Sequence, residues 1–337
     1  MRLRRGMLFV GLVALVASGV AAGRTAGWSW ALPPGVTAPP VPADNPMTDA
    51  RVALGRRLFY EGRLSVGGTM SCATCHEQHR AFASATAIHP GIGGNPGRRN
   101  VPGLANVGWL PVLTWHDPTT RTLEDQVATP LLGTTPVEMG GRPHELLARL
   151  SGDACYRQMF RAAFPEKGGA IDLAGIAAAI AAFERTFVSY GSPWDAWRRG
   201  DHGAIPPAAQ AGAAVFARSC ASCHAGPNLT DAKFHRLEPL HPQAEDRGAY
   251  EVTGNPADDG TFRTAPLRNV ALTAPYLHDG SAVTLAEAIR RHRLAGGEAL
   301  SAEEMAGLVA FLDTLSDPAF VTNPALSRPT TACGRAS

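Results

Sequence analysis

The pattern Cys-x-x-Cys-His occurs twice, as Cys72-Ala-Thr-Cys75-His76 and as Cys220-Ala-Ser-Cys223-His224, and no other feature limits the fold as much. Two thiols at this spacing can add to the two vinyl groups of one haem, and the histidine that follows at once then faces the iron. A single Cys-x-x-Cys could be half a zinc site or a redox dithiol. Two copies, each followed directly by His, point instead to two covalently bound c-type haems.

The 337 residues, 45% apolar and 18% charged, suffice for one large or two ordinary domains with real cores. A formal charge of +2 gives no reason to expect nucleic acid as a partner. Gly (36) and Pro (27) imply many loops, which a covalent cofactor can support by filling much of the core. Of six Cys, the motifs use four, leaving Cys155 and Cys333. These could form a disulfide in an oxidising compartment. They could equally be a buried thiol and a tail thiol, and the unpaired reading is adopted.

Arg2, Arg4 and Arg5 precede an apolar run from Met7 to Val20, and Val20-Ala21-Ala22 offers small residues at a cleavage site. This reads as a signal peptide over 1–22, too short for a membrane span. Cleavage would take the charge from +2 to −1 by removing three arginines. Haem c is attached outside the bacterial cytoplasm, so leader and motifs agree on a periplasmic protein without a span after cleavage.

Residues 23–45 are rich in Pro and Gly and read as a linker or wrapping arm, with Trp28 and Trp30 as packing anchors. A helix is expected from Pro46 to Tyr60 and another from Pro206 to Arg218. Each carries Gly-x-x-x-Phe (Gly55 and Phe59; Gly212 and Phe216) ahead of its haem motif. This internal repeat implies two cytochrome c units, over 46–200 and 201–318, with a weakly ordered tail over 319–337. The Gly face lets another helix approach closely. Further helices are expected over Leu123–Leu132, Ile171–Tyr190 with Ile176, Ile180, Phe183 and Phe187 on one stripe, and Leu285–Arg293. A last helix begins at Ser301, where Ser301 and Glu304 make a capping box. The fold class is mainly α, with two cytochrome c-like domains, long loops and little sheet.

Gly97-Arg98-Arg99-Asn100, Leu123-Glu124-Asp125-Gln126, Pro136-Val137-Glu138-Met139-Gly140, Leu267-Arg268-Asn269 and Ala274-Pro275-Tyr276 stand in order between and after the haem motifs. In these marks the chain resembles the bacterial dihaem cytochrome c peroxidases and their relative MauG, from about Pro46 to Leu315. Leu113-Thr114-Trp115 through Pro136-Val137-Glu138 is most similar to the MbnH-like branch, which, like MauG, oxidises tryptophan on a partner protein. The resemblance implies a peroxidatic N-terminal haem and an electron-transfer C-terminal haem. Glu138 matches the catalytic Glu, which can move a proton between the two peroxide oxygens. Gln126 matches a distal-pocket Gln, although its spacing from Glu138 is two residues longer than the usual pattern. Trp115 matches the Trp between the haems, here followed by His116-Asp117-Pro118.

The resemblance leaves the sixth iron ligands open. In peroxidases a loop His caps the peroxidatic haem. Counting back from Asn100 puts that slot at Ile92 rather than His89, which could still reach if the loop shifted. At the second haem the slot falls on His292, with Met305 as the other candidate. Asn100, Thr273 and Pro275 match a calcium site of amide and carbonyl oxygens. The activity expected is reduction of hydrogen peroxide, with electrons from a small periplasmic c-type cytochrome or cupredoxin. The alternatives are oxidation of a Trp-containing substrate protein and, from another class, a dihaem electron carrier without catalysis. Glu138 and Gln126 argue against a plain carrier. Homodimerisation is common in the peroxidase branch.

Overall fold

The computed structural model describes residues 28–237, 245–292, 299–333 and 335–336; the expected leader over 1–22 lies outside them. Helices α1 (Asp49–Phe59), α2 (Cys72–Cys75), α3 (Leu123–Leu132), α4 (Pro143–Ser151), α5 (Ala154–Ala163) and α6 (Leu173–Glu184) form a first helical body, and α7 (Pro193–Arg198) leads out of it. Helices α8 (Pro207–Ser219), α9 (Tyr250–Thr253), α10 (Leu285–Arg291) and α11 (Ala302–Asp313) form a second, and α12 (Pro318–Val321) opens the tail. Sheet is confined to the two-residue pairs β1 (Phe234–His235) with β2 (Phe262–Arg263) and β3 (Thr331–Ala332) with β4 (Arg335–Ala336).

The two bodies are built on one device. A Cβ on Gly55 of α1 would lie 1.8 Å from the Ala179 carbonyl of α6, and one on Gly212 of α8 would lie 1.8 Å from the Gly307 carbonyl of α11. Only glycine permits backbones to pack at that range. One turn after each glycine comes the aromatic of the repeat. Phe59 is enclosed by Phe82, Phe183 and Phe187 in the first core, and Phe216 packs on Phe311 in the second.

Helix α6 is shorter than the periodicity over Ile171–Tyr190 suggests. It ends at Glu184 because the following backbone is drawn into other bonds. Asn106 donates its N–H to the Phe187 carbonyl at 2.7 Å, and its side-chain oxygen accepts from the Ser189 N–H at 2.7 Å. Phe187 still packs in the core. Ser301 and Glu304 form the expected capping box.

Two expectations about the C-terminus are overturned. Cys155 and Cys333 are joined in a disulfide rather than left as separate thiols. The tail is correspondingly not loose. Phe320 packs on Phe82 and Phe187, Tyr60 donates its hydroxyl to the Leu326 carbonyl, and Arg56 donates to the carbonyls of Pro324 and Ser327. The tail is thus a strap across α1. The proline-rich arm wraps in a similar way, with the Trp109 indole N–H donating to the Thr37 carbonyl. Among the described residues no helix is long and apolar enough to cross a membrane.

Candidate functional site

Both motif histidines are set by the same local geometry. Nδ1 of His76 donates to the Phe82 carbonyl at 2.6 Å, and Nδ1 of His224 donates to the Leu229 carbonyl at 3.0 Å. Phe82 and Leu229 take left-handed backbone conformations (φ 62° and 54°) that belong to the turns returning each carbonyl to its histidine. A proton fixed on Nδ1 leaves the Nε2 lone pair free for a metal. Burial lowers both imidazoles to about 4, so they are neutral at ordinary pH. Cys72 and Cys75 bound the one-turn helix α2, which Ser71 caps, and Cys220 and Cys223 sit in the turn that follows α8, where the Cys223 N–H donates to the Cys220 carbonyl at 3.2 Å. The donor set therefore fits covalent haem with a histidine on the iron.

The second motif opens on a cavity of about 780 Å³, whose walls include Cys220, Cys223, His224, His292, Phe216 and Trp115. Nδ1 of His292 donates to the Ala288 carbonyl at 2.7 Å, which frees its Nε2 in the same way. The ring centroids of His224 and His292 lie 6.3 Å apart. Two imidazoles bound to one metal from opposite sides, each nitrogen about 2 Å from it, have ring centres roughly 6 Å apart. The spacing suits a shared iron. Met305 packs against the apolar core of this body and is not among the cavity-wall residues.

Around the first motif, Nδ1 of His89 lies 3.3 Å from Cys75 Sγ and 2.7 Å from the Pro90 carbonyl. Burial raises the Glu138 carboxyl above the ordinary carboxylate range, with His89 opposing, and the Glu138 charge reaches both Cys72 and Cys75. Sequence placed Glu138 by its motif, and the structure brings it, His89 and the first Cys pair together. Its loop hangs from the end of α3, where the Met139 N–H donates to the Pro130 carbonyl at 3.0 Å. Gln126 lies on α3, and its buried Oε1 has no hydrogen-bond partner. Such an orphaned acceptor suits a polar ligand.

Trp115 links the two bodies. Its indole N–H donates to the Asn100 carbonyl at 2.8 Å, and its own carbonyl accepts from the Arg263 N–H at 2.9 Å. Asn100, Thr273 and Pro275 all line the same cavity. The Asn100 amide donates to the Ala87 carbonyl at 3.0 Å, leaving its side-chain oxygen for another partner.

Sequence reading missed two groups. Glu184 is a buried carboxyl, raised to about 8 by burial, whose charge reaches Cys72. Arg263 lies in the second cavity wall. Neither position carries a signal in the sequence beyond being a charge in an apolar setting.

A family model described as di-haem cytochrome c peroxidase matches residues 49–203, and one described as cytochrome c matches residues 209–316. The methylamine utilization protein MauG of Methylorubrum extorquens is 35% identical over 302 residues, covering 85% of this chain and 84% of that protein. The cytochrome c551 peroxidase of Pseudomonas aeruginosa is 34% identical over 279 residues, covering 80% of each. Among solved structures, a MauG-like protein associated with microbial copper homeostasis is 37% identical with a TM-score of 0.84, over 90% of this chain and 100% of that one.

Proposed function

The chain belongs to the family of di-haem cytochrome c peroxidases and MauG, haem-dependent oxidoreductases with two cytochrome c-like domains, and on that premise we propose that it reduces hydrogen peroxide at its N-terminal haem site with electrons delivered through the C-terminal one. Haem c bound at the two motifs would supply the redox couple and the iron that reacts with peroxide. Cys72 and Cys75 would hold the first haem and Cys220 and Cys223 the second. His76 and His224 would be the proximal ligands, with His292 as the sixth ligand of the second.

Glu138 carries this reading, because a plain electron carrier has no use for a raised carboxyl beside its haem motif. It would take a proton from the nearer peroxide oxygen and deliver one to the farther oxygen, which leaves as water. Two electrons and two protons turn one peroxide into two waters. Gln126 would accept a hydrogen bond from peroxide or water and orient it. Trp115 would relay electrons between the sites. Calcium would sit on the Asn100 side chain and the carbonyls of Thr273 and Pro275. The periplasm is the proposed compartment, with a small c-type cytochrome or cupredoxin as donor. The test is peroxide-dependent oxidation of such a reduced protein by the holoenzyme. Failure to oxidise any donor while peroxide is consumed would refute it.

A second reading, oxidation of tryptophan on a partner protein, is favoured by one observation. The slot for a capping histidine holds Ile92, and His89 is turned toward Pro90 and Cys75. With no ligating side chain in that slot, the site would need no reductive activation before it meets peroxide. Likeness to the MauG-like protein of copper homeostasis points the same way. Peroxide-dependent oxidation of a partner's Trp, with no electron donor added, is the distinguishing result.

A further inference from the structure

Four arginines are buried among the described residues: Arg51, Arg185, Arg263 and Arg268. Three of them end on a carboxylate, Arg51 on Glu166, Arg185 on Glu124 and Arg268 on Asp195. Arg263 is 2% exposed and has no such partner among the described residues. Its Nε donates to the Thr114 carbonyl at 2.9 Å, Nη1 to the Thr264 carbonyl at 3.3 Å and Nη2 to the Leu113 carbonyl at 3.4 Å. All three acceptors are neutral, and burial alone pulls the guanidinium down to about 10. A buried charge without a counter-charge is costly and rarely kept.

The carboxylates of the cavity wall are already engaged. Asp246 pairs with Arg99, Asp259 with Arg247, and Asp279 accepts from Ser281. Arg263 itself lines the cavity that holds Cys220, Cys223 and His224. The missing anion must therefore come with whatever fills that space, and a haem carries two carboxylates. We infer that Arg263 is the counter-charge of a carboxylate on the haem held at Cys220 and Cys223, and that it ties this carboxylate to the Trp115 segment. The second half follows from its bonds to the carbonyls of Leu113, Thr114 and Trp115. Arg263 is then a positioning residue that also sets the potential of the second haem. Oxidised iron carries one more positive charge than reduced iron, so a nearby cation disfavours oxidation and raises the potential.

The inference rests on the second motif holding haem, which the haem content of the wild-type protein tests separately. Its own test is spectroelectrochemical titration of the wild-type, Arg263→Gln and Arg263→Lys holoproteins. In Arg263→Gln the second haem should fall in potential by about 60 mV or more, a tenfold loss in its reduction equilibrium at about 59 mV per decade. The first haem should not move, and Arg263→Lys should keep most of the wild-type value. A fully loaded Arg263→Gln protein titrating at the wild-type potential would overturn the inference. So would a Lys variant shifted as far as the Gln variant. If Arg263→Gln fails to load haem, loading of Arg263→Lys supports the charge role. Failure of both assigns Arg263 to packing on the carbonyls and overturns it.

Discussion

The backbone N–H of Ile92 donates to the carbonyl of Glu138 at 2.7 Å. The residue in the expected capping slot and the proposed proton-transfer residue are thus held by one hydrogen bond, in two loops that cross at Gly91. A Cβ on Gly91 would lie 1.9 Å from the Val137 carbonyl. Gly91→Ala should push the loops apart and slow the reaction with peroxide while haem content is kept. Stopped-flow mixing with peroxide reads this directly.

Glu138→Gln should slow the same reaction by about 10²–10⁴-fold, the usual range for a positioned acid–base group. Burial keeps the wild-type carboxyl protonated above the ordinary carboxylate range. Its basic form therefore accumulates only as pH rises through that raised value. The wild-type rate should climb with pH across this window, and the Gln variant should be flat there.

The sequence exposed the two-body plan because close helix crossings demand specific residues, and it marks the proposed haem sites because covalent attachment demands specific residues too. The proposed haem attachment at Cys72, Cys75 and His76 tolerates no other side chains, and Gly55 and Gly212 mark the crossings by lacking a side chain. Contacts made by common residues at long range left no such trace. Cys155 meets Cys333 across 178 residues, and two leftover cysteines do not announce a pairing. The strap formed by Phe320 and Leu326 reads as a polar, irregular tail until the surface it covers is known. Arg263 looks like any other arginine, and only its burial without a carboxylate distinguishes it.

The α8–α11 crossing can be tested with Gly212→Ala. The added methyl would sit 1.8 Å from the Gly307 carbonyl, with backbone that cannot step aside. Overpacking of this kind costs about 1–3 kcal/mol. A lower unfolding midpoint by calorimetry, with early loss of the second haem's spectrum, is expected.

Opening the disulfide by Cys155→Ser with Cys333→Ser should release the strap. Removing a native disulfide typically costs about 2–5 kcal/mol. Tm should fall, and limited proteolysis should begin to cut between α12 and residue 333, where the wild type resists.

Asp195 and Arg268 are both buried and bond through two nitrogens and two oxygens, at 2.7 and 3.0 Å. Asp195→Asn should destabilise the protein by about 3–5 kcal/mol, because it leaves the guanidinium uncompensated. Arg268 and Ser192 hold the Asp195 carboxyl below its ordinary range. The pair's contribution is therefore full above the ordinary Asp value of about 3.9 and is lost as pH falls through the lowered one. Acid unfolding of the Asn variant should lack that component.

The most direct test of the account is low-temperature electron paramagnetic resonance of the oxidised holoprotein beside His89→Ala and His292→Ala. One high-spin haem and one low-spin haem are predicted, with His89→Ala unchanged and the low-spin signal converted in His292→Ala. Two low-spin haems, one turning high-spin in His89→Ala, would contradict an uncapped first site. A low-spin signal that survives in His292→Ala would contradict the pairing of His224 with His292.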